Sequence, residues 1–181
     1  IPPVGRYLKF QSTSDIDKAD FIFSFGSGVH KFPIKGGGKK ECPFPFDGES
    51  GVLAHMWTLA AGRTYGGQGH FDEAENWSNM HTHNNVRLFE VAMHEMGHGL
   101  GIGHSKVREA LMYPTYSGTK STLHADDKAG LKAVLQPVKR KVYEIYHKPN
   151  EQKEKKFIDR FEALPNWVQV ILETLYGDRW A

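Results

Sequence analysis

The sequence predicts a single mixed α+β domain, and three observations carry that expectation. Short aromatic and β-branched runs near the start read as strands. Residues 85–99 carry apolar side chains at helical spacing, and a second helical pattern follows at 121–136. A chain of 181 residues with 39% hydrophobic content is long enough for one full core.

Each element follows from its own composition. "YLKFQS" (7–12) and "DFIFSF" (20–25) are expected as neighbouring strands joined by the polar "TSDIDKA". From 26 to 52 glycine, proline and lysine dominate, which predicts a long loop, and a loop of that length usually serves function. "VLAHMWTLA" (52–60) resembles another strand and "GHFDEAENW" (69–77) a strand end. Val86, Phe89, Ala92, Met93 and Met96 form the apolar stripe of the first helix. "STLHADDKAGLKAVLQ" gives the second, with Ser or Thr near its N-cap and two aspartates in its early turns. Beyond Pro137 the character changes to a strand ("RKVYEIYH"), a charged run and an amphipathic helix interrupted before Pro165. The chain therefore divides into residues 1–136 and a tail, 137–181.

Composition excludes some functions. A net charge of +2, from 23 basic and 21 acidic side chains, argues against nucleic acid or a membrane surface as the main partner. No run approaches the ~18 apolar residues of a membrane span, and the start lacks signal-peptide regions, so a secreted protein would be in processed form. A lone cysteine, Cys42, rules out an internal disulfide.

The most informative stretch is "VAMHEMGHGLGIGHS" (91–105). At 3.6 residues per turn His94 and His98 share one helix face and can reach one ion, with Glu95 on the flank between them. His104 would lie about 15 Å along a continuous helix from His94, too far to share a metal with bonds of about 2.0 Å. The helix must end, and Gly99, Gly101 and Gly103 are where it can, because glycine accepts the left-handed conformation of a helix-ending turn. HExxHxxGxxH matches at every fixed position, and "ALMYP" (110–114) supplies Met112 as an apolar floor a few residues on.

With "PFDG" (45–48), "LAH" (53–55), "HFDEAENW" (70–77) and Ser105 after the third histidine, residues 7–136 resemble the metzincin zinc endopeptidases, and within them the matrixins (matrix metalloproteinases). The resemblance implies a zincin-like catalytic domain with a twisted, mostly parallel sheet, an active-site helix, a Met-turn and C-terminal helices. His94, His98 and His104 would hold the catalytic zinc, and Glu95 would act as general base on a zinc-bound water. Asp47, Asp72 and Glu75, with backbone oxygens of Gly48, Ser50 and Val52, would hold structural calcium; a second calcium site is weakened because Gln68 stands where an acid is expected beside Asp20.

The resemblance also implies a structural zinc. His55 and His70 match two of its ligands and His30 is spaced like a third, while the expected aspartate is missing. Counting back from "PFDG" instead puts Lys40 and Cys42 at the His and Asp positions, a conflict that an insertion explains. Two readings stand: a second zinc on His30, His55 and His70, with Cys42 in place of the oxygen ligand, or solvated histidines in an empty loop. His81 and His83 have no counterpart and are expected in solvent.

Leu53 and Ala54 look like the rim that pairs with an extended peptide, and Pro114, Thr115 and Tyr116 like the wall of the S1′ pocket. Glu90 stands at a position that helps line the pocket floor, where an acid would favour a basic residue; the alternative is a solvated helix carboxylate. The implied partners are an extended protein or peptide substrate and protein inhibitors. A monomeric, secreted, extracellular enzyme is expected. Matrixin catalytic domains begin with a strand and a long helix that are absent before Tyr7. The tail offers that order, "KVYEIYH" then a helix, so it either completes the sheet as in a circular permutation or is a linker with an extra helix.

Overall fold

A computed structural model of the chain describes residues 11–78, 85–118 and 120–146, with side chains to residue 135. Contacts divide the chain into two units, residues 13–121 and residues 1–12 with 122–181. His81, His83 and most of the expected strand at 7–12 lie outside the described residues, as do residues 147–181 of the tail.

In the first unit a three-stranded sheet has the order β1 (Ile22–Gly26), β5 (Gln68–Asp72), β4 (Ala54–Met56). β1 runs parallel to β5 and β4 antiparallel to it, so among the described residues the sheet has one parallel and one antiparallel pairing. β5 is the central strand and all five of its residues are buried. Phe71 anchors the core, with Phe32, Phe46, Val91, Met93 and Met96 also buried.

The segment expected as one long loop contains a hairpin, β2 (Lys31–Pro33) with β3 (Lys39–Glu41). Its sequence hides it: β3 is three exposed charged residues, so no apolar alternation marks a strand. The turn is Gly36, Gly37 and Gly38, all at positive φ. A short helix α1 (Gly62–Tyr65) leads into β5, and a two-residue pair, β6 (Trp77–Ser78) with β7 (Val86–Arg87), precedes α2 (Leu88–Gly99). On α2 burial extends beyond the expected stripe to Glu90 and Glu95, while Phe89 and Ala92 are only half-buried.

In the second unit α3 runs from Ala125 to Tyr146. His124, not Ser or Thr, caps it: His124 Nδ1 accepts the Asp126 N–H at 3.2 Å, and Asp127 Oδ2 accepts the His124 N–H at 2.8 Å. The strand expected over 140–147 does not form, because residues 140–146 are helical. Pro137 removes one helix hydrogen bond, at about 3 kcal/mol in an interior position. Leu131, Leu135, Val138, Val142 and Ile145 nonetheless keep the three- and four-residue spacing of a helix across it. That periodicity outweighs the stop signal, and it removes the strand on which the permuted arrangement depended.

Candidate functional site

α2 delivers the first two imidazoles and its C-terminus delivers the third. The helix ends at Gly99, and Gly101 takes φ 98°. The Gly101 N–H donates to His98 O and the Ile102 N–H to Gly97 O, each at 2.9 Å. This paired arrangement is the Schellman motif, which needs a left-handed residue just past the helix and so selects glycine. The chain reverses there and brings His104 back, as the spacing required.

His98 Nε2 lies 3.1 Å from His94 Nε2 and 3.1 Å from His104 Nε2. The His94 Nδ1–H donates to Leu111 O and the His98 Nδ1–H to Ile102 O, both at 2.8 Å. Those bonds fix the tautomer, so Nε2 of both rings carries a lone pair. Lone pairs facing at this distance repel unless a cation lies between them, and about 3.3 Å is the nitrogen separation expected around a tetrahedral zinc. The three residues therefore fit zinc by donor type and by spacing, and His94 and His98 also by tautomer. Burial, against the opposing pull of the Leu111 carbonyl, holds His94 down at about 4, and burial lowers His98 as well, which keeps both rings available as ligands.

Below the rings, Ala110, Leu111 and Met112 are almost wholly buried, and the Ser105 N–H donates to Met112 O at 2.8 Å. A Cβ added to Gly97 would collide with Met112 Sδ, so helix and Met-turn touch where only glycine fits. Glu95 is 5% exposed, its Oε2 has no partner, and burial pushes its carboxyl up to about 7.

The second cluster is His30, Cys42, His55 and His70, whose ligand atoms all lie within 4.8 Å of one another. It is assembled from two cross-strand pairs. His55 and His70 are direct partners in the β4–β5 ladder, and the Cys42 N–H donates to His30 O at 2.9 Å, one step below the Lys31–Glu41 pair of the hairpin. The hairpin thus sets Cys42 opposite His30. His70 Nδ1 lies 3.0 Å from His30 Nε2 and 3.1 Å from His55 Nε2, and Cys42 Sγ is 3.3 Å from His55 Nε2. The His30 Nδ1–H donates to Gly28 O. Burial lowers His55 to about 4 and His70 to about 3, helped by their imidazole neighbours. Phe46 stacks on both His30 and His55, a packing role that no motif announced. The reading of these histidines as solvated is thereby corrected for His30 and His70, which are buried, and for His55, which is partly so.

The acidic residues are drawn together less tightly. Asp72 is fully buried and accepts the Gly48 and Ala74 N–H groups, while the exposed Asp47 accepts the Val52 N–H. Glu75 is raised chiefly by burial, with Asp72, Glu49 and Asp47 adding to the shift, and its Oε1 has no partner. Ser50 adopts φ 71°, a strained turn that wraps this loop. Among the described residues, the two histidine clusters are the groups whose candidate ligand atoms converge within 4.8 Å. Gln68 is buried and donates to Pro33 O.

Leu53 and Ala54 lie at β4, an edge strand of its sheet among the described residues. Pro114 and Thr115 are exposed, and Tyr116 Oη accepts the Arg87 N–H at 2.8 Å. Glu90 is 3% exposed, not solvated; its carboxyl is raised by burial and opposed by the backbone N–H groups of Lys120 and Gly118.

Comparison with known proteins agrees with this geometry. The matrixin family model matches residues 4–136. The chain is 42% identical over 121 residues to karilysin of Tannerella forsythia, covering 66% of this chain and 23% of that protein. It is 43% identical over 129 residues to human matrix metalloproteinase-20, covering 70% and 23%, and 41% identical over 116 residues to rat matrilysin, covering 62% and 39%. The chain thus spans between about a fifth and two fifths of the length of the curated relatives it matches.

Proposed function

The chain belongs to the matrixin family, and from that premise we propose that it is a zinc-dependent endopeptidase that hydrolyses internal peptide bonds of extracellular proteins. The observation that carries the reading is the meeting of three imidazole Nε2 atoms, two with tautomers locked by carbonyls, one helix position from a buried carboxyl whose Oε2 has no partner. His94, His98 and His104 would hold zinc, which supplies Lewis-acid polarisation of the scissile carbonyl and a more acidic water.

Glu95 supplies the proton chemistry. Its carboxylate takes a proton from the attacking water as oxygen bonds to the carbonyl carbon, then gives that proton to the amine nitrogen as the C–N bond breaks. A carboxyl whose value is raised to about 7 suits both halves of that exchange near neutral pH. Leu53 and Ala54 on the edge strand would pair with an extended substrate, and Pro114, Thr115 and Tyr116 would wall its side-chain pocket. Glu90, buried with Oε2 unpartnered, would favour a basic side chain there.

His30, His55 and His70 would hold a second zinc. Asp47, Asp72 and Glu75, with Gly48, Ser50 and Val52, would hold calcium, a role that the mutual repulsion around Glu75 supports. We take residues 1–136 as the catalytic domain and 137–181 as an extension of it. No described helix is long and apolar enough to cross a membrane, and we read the enzyme as a secreted monomer open to protein inhibitors at its cleft.

Cleavage of a quenched peptide is the test. Activity abolished by a chelator, restored by zinc, and lost in Glu95→Ala with an unchanged circular dichroism spectrum is the expected result. Cleavage that survives either treatment overturns the assignment.

A further inference from the structure

Three of the four residues in the second cluster are histidines, and the fourth brings a different donor atom. We propose that Cys42 binds the second cation as a thiolate, making a three-nitrogen, one-sulfur centre for borderline divalent ions such as Zn²⁺ or Co²⁺. The inference rests on the reading that His30, His55 and His70 hold a cation at all.

Three observations support it. The first is spacing. A tetrahedral zinc with bonds of about 2.0–2.1 Å to nitrogen and about 2.3 Å to sulfur separates its ligands by about 3.3 Å (N···N) and about 3.6 Å (N···S). Three of the six separations, at 3.0, 3.1 and 3.3 Å, are within a few tenths of an ångström of those values, and all of the ligand atoms lie within 4.8 Å of one another.

The second is proton arithmetic. His30 has committed its Nδ1–H to Gly28 O, so its Nε2 offers a lone pair to His70 Nδ1. His70 Nδ1 also faces His55 Nε2 and carries at most one proton to share between them. A cation at the centre accepts lone pairs from all three rings and resolves the shortage.

The third is the placement of the sulfur. Cys42 is buried, and the Phe44 N–H points at its Sγ from 3.4 Å, a donor that stabilises negative charge on sulfur. The hairpin seats Cys42 opposite His30, and so delivers both residues to one point. As a thiol, Cys42 donates its S–H to Phe44 O. Binding the cation breaks that S–H bond and forms the sulfur–metal bond, and the proton leaves to solvent. Sulfur also sets selectivity, since calcium and magnesium take oxygen ligands and gain little from a thiolate.

The test uses the full chain loaded with cobalt. Two equivalents bound, with a near-ultraviolet thiolate-to-cobalt charge-transfer band, is the expected result; the His94, His98, His104 group has no sulfur and cannot produce that band. Cys42→Asp should keep two equivalents and lose the band, and Cys42→Ala should weaken the second equivalent at least tenfold. Two equivalents without the band, or a band that persists in Cys42→Asp, overturns the sulfur assignment and leaves the three-histidine reading standing. A single equivalent without the band overturns both. Peptidase activity is not the readout, so the result is independent of the protease assignment.

Discussion

His94, His98 and His104 are gathered by one local device, a helix that stops at a Schellman turn, whereas His30, Cys42, His55 and His70 are gathered by register between strands. The outer members of the first group are ten positions apart, and those of the second are forty apart. The first group has an exposed member, His104, which in the proposed peptidase would let a substrate reach an ion held there. In the second every member but His55 is buried and Phe46 stacks on two rings, a closed setting suited to holding the sheet edge and hairpin together. A site for chemistry is open and locally encoded; a site for stability is closed and depends on the fold around it.

The sharpest way to break that contrast is to remove chemistry without touching metal. Glu95→Gln keeps the shape of a buried side chain and removes its proton-transfer ability, so peptide hydrolysis should fall by about 10²–10⁴-fold. Metal content and melting temperature should hold or rise, because burial already disfavours the charged form. Loss of an equivalent of zinc in this variant would mean that Glu95 is part of the metal site, and the separation of roles would fail.

The same contrast explains what could be read from sequence. The first group was legible because helix period and glycine placement are local, and the bend follows from the fifteen residues 91–105. Cys42 was harder. Its approach to His55 depends on a hairpin of two three-residue strands, one of them wholly charged, which is closed by a glycine turn. Glu90 was legible as a helix position, but its burial was not, since the backbone groups of Gly118 and Lys120 that meet it lie far along the chain. Pro137 misled in the opposite direction, a strong local signal outweighed by helical periodicity on both sides of it.

Acidification should strike the second group more than the first. His70 is held at about 3 and His55 at about 4 by burial, while the unfolded chain binds these protons near 6.5. Between those limits the unfolded state carries more protons, so stability rises with pH there and is lost as pH falls below about 6.5. His94, at about 4, adds in the same direction. For His70 alone, whose ring is fully buried, the step from pH 7 to pH 5 costs about 2 kcal/mol. A metal on either group steepens the fall, because ligands must be unprotonated. Melting temperatures at pH 7, 6 and 5 check this, and His70→Ala should flatten the curve. A flat profile in the unmodified protein would mean that these rings are not held neutral by the fold.

The smallest expected effect separates the first group from its floor. Gly97→Ala adds one methyl group where α2 meets Met112 Sδ. Alanine is better than glycine in a helix by about 1 kcal/mol, and overpacking a tight contact costs about 1–3 kcal/mol, so the two cancel in part and leave a net cost of about 0–2 kcal/mol. They do not cancel in geometry. The methyl group pushes the Met-turn away from the helix, and Leu111, whose carbonyl orients His94, moves with Met112. The expected outcome is a melting temperature within a few degrees of the parent and a several-fold weaker hold on the catalytic zinc, with the second cation unaffected. Competition with a chelator, read one equivalent at a time, measures it. Equal weakening at both sites would show that the Met-turn supports the whole unit rather than the catalytic group.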